Sequence, residues 1–539
     1  MSRERSHWGW GYADREPTRE TLEVLAPELK RRIGLGDGEI ELPVPLDAVE
    51  LAPARLRPPE ELGEMLSAEP AERIRHAMGR AFRDVARGFR GRFDRTPDMV
   101  ARPRDADDVR RVLELCADRR LAAIPFGGGT SVVGGVEPRV GHGYRGTVSI
   151  DLAALTGIVE IDEVSNSALI RGGTLGPDLE DGLRPHGLTL RHFPQSFEFS
   201  TLGGWIATRA GGHFATGPTH IDDLVESVSA ITPSGTWESR RLPGSGAGPS
   251  PDRLMLGSEG ILGVITEAWV RVRPRPTFKA SRAVLFDDFR AGAEGVRALS
   301  QSGLNPSNCR LLDPLEAETT GAGGGGDAVL VLGFESAFAP VDHLMELALE
   351  CVRDHGGRPE DPPAEREDGA AETWRAAFLE APYLRDSLLA LGVISDTFET
   401  AITWDRFGEF HSRVGEAARR AVAEVTGAPA DGDGAPRVMC RFTHVYPDGP
   451  APYYTVLAPA KRGSEVEQWD EIKAAASEAI ISAGGTITHH HAVGRDHRPW
   501  YDLQRPDPFA DALAGAKAAV DPGGILNPGV LIDPVRPDA

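Results

Sequence analysis

At 539 residues the chain is longer than one ordinary core holds, so two or three lobes are expected. With 40% apolar residues, 62 glycines and 42 prolines it can build sizeable cores joined by many tight turns, which excludes a coiled coil. A formal charge of −22 excludes nucleic acid or an anionic membrane surface as the main partner and leaves only a local basic pocket for a phosphate.

Residues 1–12 lack the apolar stretch of a signal peptide, and no run approaches the roughly 18 apolar residues of a membrane span, so neither is expected. Cys116, Cys309, Cys351 and Cys440 are scattered without a CxxC pair, which suits a reducing cytoplasm. Residues 17–95 are charged with helical apolar spacing, for example over residues 71–82, and predict an N-terminal arm of helices. The pattern then changes. A short strand starts at Asp98, an acid-capped helix follows from Asp105 with Val109, Val112, Leu113 and Cys116 on one face, and Leu121-Ala-Ala-Ile-Pro125 is a buried strand.

That strand runs into Pro125-Phe-Gly-Gly-Gly-Thr-Ser131, where residues without side chains let backbone N–H groups converge on an anion such as a pyrophosphate. A plain β-turn is the alternative. The loop lacks the Gly-Lys-Ser/Thr of a Walker loop and opens no GxGxxG helix. Further on, residues 158–175 predict a hairpin, residues 176–187 a short helix, and Ser200 and Thr201 the cap of a helix from Leu202. A third glycine cluster, Gly257-Ser-Glu-Gly-Ile-Leu-Gly263, leads into an alternating strand. Three glycine-bearing loops on an α+β scaffold form the pattern of a large cofactor held by backbone.

Near the C-terminus stand His489, His490 and His491. An internal trio is not a purification tag. On an extended strand adjacent side chains alternate, so only His489 and His491 converge, and no carboxylate or cysteine lies nearby at ligand spacing; no metal is expected. A solvated loop or an acid/base site remains. Imidazole, with an unperturbed pKa of about 6.5, exchanges protons near neutrality without a large environmental shift.

The GGGTSV loop, the FEFSTLGGWIATRAGG segment and the GSEGILGVITEA segment together resemble the FAD-binding domain of vanillyl-alcohol-oxidase (PCMH-type) flavoproteins. The resemblance implies an α+β fold: two FAD-binding subdomains plus an antiparallel-sheet cap. It divides the chain into an arm at 1–95, an FAD domain at 96–276, a cap at 277–480 and a C-terminal segment at 481–539 that completes the site. Pro125, Phe126, Gly127, Gly128, Gly129, Thr130 and Ser131 would wrap the pyrophosphate. Gln195, Ser196, Phe197, Glu198, Phe199, Ser200 and Thr201, with Thr208, Arg209, Ala210 and Gly211, would line the ribityl chain and ring. Glu259, Gly260, Ile261, Leu262, Gly263, Val264 and Ile265 would contact the adenine end and the ring's pyrimidine edge. The covalent histidine of some members has no counterpart at Gly129-Thr130-Ser131, so FAD is expected to be non-covalent.

Within that group the chain is similar to the alkyldihydroxyacetonephosphate synthases, through His489-His-His-Ala-Val-Gly494, Trp8-Gly-Trp-Gly-Tyr12, Cys309-Arg-Leu-Leu-Asp313, Tyr383-Leu-Arg-Asp386, Thr397-Phe-Glu-Thr400 and Cys440-Arg-Phe-Thr443. The resemblance implies a redox-neutral exchange of the acyl group of 1-acyl-dihydroxyacetone phosphate for a long-chain alcohol, through an adduct at flavin N5, in ether-lipid synthesis. It assigns Tyr453 (or its neighbour Tyr454), His490 and His491, with His489, to catalysis, and Arg385 and Arg310 to the substrate. It also implies a homodimer with peripheral membrane contact, and the Ala/Arg/Gly-rich composition suggests a bacterial cytoplasm. Three departures are visible. Ala492 stands where the family has glycine, residues 210–220 lack the lysine and asparagine expected there, and Asn527-Pro-Gly529 looks like the dehydrogenase and oxidase branches. A FAD-dependent dehydrogenase or oxidase of a 2-hydroxy acid or alcohol is therefore the alternative.

Overall fold

The computed structural model describes residues 3–323, 326–360, 370–429, 432 and 434–533. The expected strand–helix–strand unit is present. Asp105 caps the helix Ala106–Arg119 by accepting from Asp108 N, and Val109, Val112, Leu113 and Cys116 form its buried face against Leu121–Phe126. Met99–Ala101, Gly146–Asp151 and Leu121–Phe126 form a parallel sheet, extended antiparallel by Leu66–Ser67. A second, five-stranded antiparallel sheet holds Ile158–Asp162, Ser167–Arg171, Val264–Arg271, Val225–Thr232 and Gly235–Glu238. The helix Leu202–Thr208, which Thr201 caps through Gly204 N, packs on Ser167–Arg171 and Val264–Arg271 of this second sheet.

Leu188–Thr189 and Arg273–Pro274 form a two-stranded ribbon, and the largest sheet has seven strands in the spatial order Arg358–Pro359, Phe278–Phe286, Ala328–Ser336, Asn308–Leu312, Arg437–Val445, Pro450–Pro459, Val393–Glu399. Residues 328–334 of the strand Ala328–Ser336 read as an apolar run because they are covered on both faces, and the run ends at the half-buried Glu335 and Ser336. At one end of the sheet, register places Tyr453 between Arg441 and Glu399, so those three side chains share a face. Tyr454 pairs with Cys440 and Phe398 and points the other way.

The arm is helical, with a break inside the stretch 71–82. The chain forms Pro70–Arg75, breaks, and resumes at Phe82–Phe89. The break lets backbone approach the glycine loop: Arg80 N donates to Ser131 O at 2.6 Å, and a Cβ on Gly79 would sit 2.1 Å from that oxygen. Leu22, Phe82, Val85 and Phe89 of the arm share one buried core with the seven-stranded sheet and its helices. No described helix is long and apolar enough to cross a membrane.

Candidate active site

A cavity of about 630 Å³ lies between the two smaller sheets, lined by Pro125, Phe126, Gly127, Ser131, Thr208, Glu259, Gly260, Gly263 and Ile265 of the sequence expectation. Its lining also includes Gly135, Val136, Leu152, Gly203, Gly204, Ala207 and Asn527. Among the described residues, no acceptor hydrogen-bonds the backbone N–H of Gly128, Gly129 or Thr130. These donors suit an anion, so the loop fits the pyrophosphate of FAD. Glycine is required where segments meet. A Cβ on Gly128 would lie 1.6 Å from Phe199 O, and one on Gly127 2.4 Å from Thr201 Oγ1.

Other expected cofactor residues build the walls rather than this lining. Phe199 is buried under Arg5, Trp10 and Tyr12, Phe197 stacks on Trp205, and Ser200 Oγ accepts from Trp205 Nε1. Glu198 is exposed and accepts from Tyr383 Oη at 3.1 Å. Ser196 O accepts from Phe199 N and Ser200 N, and Gln195 is half-buried beside it. Arg209 turns its guanidinium to Asp222, while Ile261, Leu262 and Val264 lie in apolar cores. Ala210 N donates to Trp205 O, and Gly211 backs onto the histidines, 3.0 Å from His490 Cβ to a Cβ built there.

The histidines do not lie on an extended strand. Residues 489–491 form a bend, and the expectation of alternating faces is overturned by one buried carboxylate. Glu399 is 2% exposed and accepts from His489 N at 2.7 Å, His490 N at 3.2 Å, His491 N at 3.0 Å and Thr488 Oγ1 at 2.5 Å. Successive N–H groups form a nest around this anion, and the rings fan out on one side. His490 lies parallel to the Tyr453 ring at 6.1 Å, and His491 stands edge-on to it at 5.6 Å. His489 meets His220, His444 and Tyr446. Tyr453, not Tyr454, therefore adjoins the histidines; its hydroxyl donates to Thr397 Oγ1 at 3.0 Å, whereas the Tyr454 hydroxyl pairs with His411 Nδ1.

The segment continues to the cavity. Val493 N and Gly494 N donate to the Glu259 carboxylate at 2.9 and 2.8 Å, and Asn527 Nδ2 donates to Glu259 O and Gly135 O. Between them Ala492 has φ +73°. A left-handed residue with a Cβ costs about 1–2 kcal/mol, against about 0.5–1 kcal/mol of extra chain entropy lost by glycine. Ala492→Gly is accordingly expected to stabilise the holoprotein by up to about 1 kcal/mol. A thermal midpoint that stays put or falls would show that the turn is unstrained.

Burial changes the acid/base reading. It lowers His490 to about 3 and His491 to about 4, and pushes His489 and His444 well below the ordinary imidazole value. The rings are thus neutral bases at pH 7, and the expectation of titration near neutrality without a large shift is corrected. Burial alone would raise Glu399, but the positive charge that His490, His491 and His489 can carry and the Thr488 hydroxyl outweigh it and hold the carboxyl well below the usual range. Burial raises the Tyr453 phenol, opposed by Arg441, whose guanidinium lies 4.0 Å from its ring centre. A lowered imidazole pKa keeps the base unprotonated above that value. With Glu399, His489 and Arg310 facing His490, kcat/KM is expected to stay level from about pH 8 to about pH 5. A loss centred near the ordinary imidazole pKa of about 6.5 would contradict a buried base.

His444, His489 and His490 each bring a nitrogen within 4.8 Å of the others, a convergence that strand alternation did not allow for. Those nitrogens are engaged: His444 Nε2 with Gly212 O, His444 Nδ1 with Thr443 Oγ1, and His489 Nδ1 with His490 Nδ1.

The two arginines sit apart. Arg310 is 2% exposed, donates to His213 O at 2.8 Å, and is lowered to about 9 by burial and by Arg441. It is close enough to oppose charge on His444 and His490. Arg385 donates from Nη1 to Arg80 O at 2.7 Å, and its buried Nε and Nη2 have no hydrogen-bond partner. Sequence reading had no role for Glu399, His220, His444, Tyr446 or Thr488. The glutamate within Thr397-Phe-Glu-Thr400 was the single legible hint.

A family pattern described as the FAD binding domain matches residues 97–239, and one described as FAD linked oxidases, C-terminal domain, matches residues 275–531. The solved structure of an alkyldihydroxyacetonephosphate synthase superimposes with a TM-score of 0.79 at 24% identity, covering 97% of each chain. p-Cresol methylhydroxylase with substrate bound superimposes with a TM-score of 0.69 at 16% identity, covering 88% of this chain and 95% of that one. Fold and cavity thus define an FAD-dependent enzyme of the FAD-linked oxidase class, with a PCMH-type α+β fold. Alkyldihydroxyacetonephosphate synthase of Trypanosoma brucei brucei is 30% identical over 529 residues, covering 92% of this chain and 85% of that protein. The chain belongs to the alkyldihydroxyacetonephosphate synthase family.

Proposed function

We propose that this enzyme exchanges the acyl group of 1-acyl-dihydroxyacetone phosphate for a long-chain alcohol, giving an ether-lipid precursor and a fatty acid. The observation that carries this reading is the set of neutral, buried bases beside Tyr453, on a segment tied to the cofactor cavity by Glu259. Such a site can take a proton from carbon or from an alcohol and return it without exchanging with bulk water. Bound FAD would supply an electron-accepting ring, held non-covalently by the glycine loop.

Within this reading His490 and His491 move protons at C1, and Tyr453 relays or orients them. Arg385 is the stronger candidate for the phosphate: Nη2 lies 3.7 Å from the Asp386 carboxylate, but Nε and Nη2 make no hydrogen bond and suit bidentate binding of an oxyanion. Arg310, held by His213, tunes the charge on His490. The division of the chain into arm, FAD domain, cap and C-terminal segment belongs to the same proposal. So do a homodimer and peripheral membrane contact. Purified holoprotein incubated with acyl-dihydroxyacetone phosphate and isotope-labelled hexadecanol should yield a labelled ether by mass spectrometry. Bound oxidised FAD without any ether product would sink the proposal.

A further inference from the structure

The proposed exchange carries a proton balance that a buried site has to meet. An ester and an alcohol become an ether and a carboxylate, so the alcohol O–H bond breaks and one proton leaves per turnover. Tyr453 is 5% exposed and Glu399 2%, and the His490 and His491 side chains keep 16% exposure, so a bound substrate would close the reacting centre and the proton needs a path.

Three imidazoles join end to end from this centre to the surface. His490 Nδ1 lies 3.0 Å from His489 Nδ1, and His489 Nε2 lies 3.2 Å from the Nε2 of His220, which is partly exposed. At each contact one nitrogen carries hydrogen and the other a lone pair. The far end decides which is which. His220 Nδ1 lies 2.9 Å from the Arg209 carbonyl oxygen, which only accepts, so a neutral His220 holds its hydrogen at Nδ1 and accepts at Nε2. His489 then carries its hydrogen at Nε2 and accepts at Nδ1 from His490 Nδ1–H. Glu399, 3.4 Å from His490 Nδ1, favours positive charge on that ring without taking its hydrogen bond. Tyr446 fits the same order: its oxygen, 2.7 Å from His489 Nε2, accepts there, and its hydroxyl donates to Thr219 Oγ1 at 3.0 Å. His490 Nε2 is left with a lone pair on the side away from these partners.

We propose that His490, His489 and His220 form a proton relay that carries the alcohol's proton from the buried site to the surface, a role that rests on the exchange reaction assigned to this enzyme. His220 is the positioning residue that sets the ready tautomers. In one passage His490 Nε2 takes the proton, the Nδ1 hydrogen of His490 moves to His489 Nδ1, and the Nε2 hydrogen of His489 moves to His220 Nε2. His220, then doubly protonated, gives its Nδ1 proton to water, which leaves the hydrogen of each ring on the opposite nitrogen. The three rings turn over to restore the ready tautomers before the next passage. No electrons move, and the proton lost by the alcohol equals the one gained by solvent. Burial, which disfavours charge on His489 and His490, keeps the cation from resting inside the chain and drives it outward.

The test uses the FAD-loaded full chain. Neutron diffraction of substrate-free crystals is expected to find hydrogen on His220 Nδ1, His489 Nε2 and His490 Nδ1; hydrogen on His490 Nε2 with none on its Nδ1 would overturn the relay. His220→Ala is expected to lower kcat for ether formation by about tenfold or more with KM unchanged, and free imidazole in the buffer to restore part of it saturably. A kcat within about twofold of wild type, or a loss that imidazole leaves untouched, overturns the relay as well. If the wild-type enzyme forms no ether, the assigned reaction fails, and the hydrogen positions alone then decide the relay.

Discussion

Glu399→Ala is expected to abolish turnover and to destabilise the fold by several kcal/mol. Three backbone donors and the Thr488 hydroxyl converge on this carboxylate, and nothing else among the described residues accepts from the N–H groups of residues 489–491 apart from Thr488 Oγ1 beside His491. Each buried donor left without a partner costs about 1–3 kcal/mol. Water entering the vacated space can recover part of that, but it cannot hold the bend, so the imidazoles lose their places around Tyr453. Misplacing the acid/base groups is expected to cost about 10²–10⁴ in kcat. Glu399→Gln discriminates between volume and charge: an amide fills the space but turns an NH2 toward N–H donors. Thermal unfolding and turnover of the two holoproteins measure this. A Glu399→Gln enzyme with wild-type kcat would mean that the nest does not depend on an anion.

The second large effect is expected at the glycine loop. Gly128→Ala places a methyl 1.6 Å from Phe199 O and 3.1 Å from Ser200 Cα. Both neighbours are backbone, so no side chain can swing away. Overpacking of this kind costs about 1–3 kcal/mol or more, and here it pushes residues 125–131 away from residues 195–201. The variant is expected to purify without its yellow cofactor, with FAD affinity weakened by about tenfold or more. Gly143→Ala, whose Cβ would meet nothing within 4 Å and lies outside the cavity lining, is expected to bind FAD as wild type does. Cofactor content by visible absorbance distinguishes them. Equal FAD content in both variants would mean that the loop is not a steric clamp.

Local chemistry made much of the frame legible. The Asp105 and Thr201 caps, the buried strand before the glycine loop and the hairpin over 158–171 follow from short-range signals and stand where the sequence placed them. The bend at residues 489–491 was not legible, because its cause, Glu399, is ninety positions away in sequence and meets it only through the edge of the seven-stranded sheet. His220 and His444 gave no signal for the same reason. They come from a loop of the FAD domain and a strand of the large sheet, and fold alone joins them to His489. The break at Gly79 was hidden as well, since helical spacing continues through it and only the approach to Ser131 O explains it. The departure from the family at residues 210–220 looked like a missing site. It supplies His220, whose Nδ1 donates to the Arg209 carbonyl oxygen.

These neutral bases are proposed to serve an exchange with no net oxidation. Visible absorbance of the holoprotein, followed anaerobically while acyl-dihydroxyacetone phosphate and labelled hexadecanol are consumed, tests it most directly. Labelled ether accumulating over many turnovers, with the flavin oxidised once substrate is spent, is the expected result. Stoichiometric bleaching of the flavin without ether would contradict it and make the enzyme a dehydrogenase.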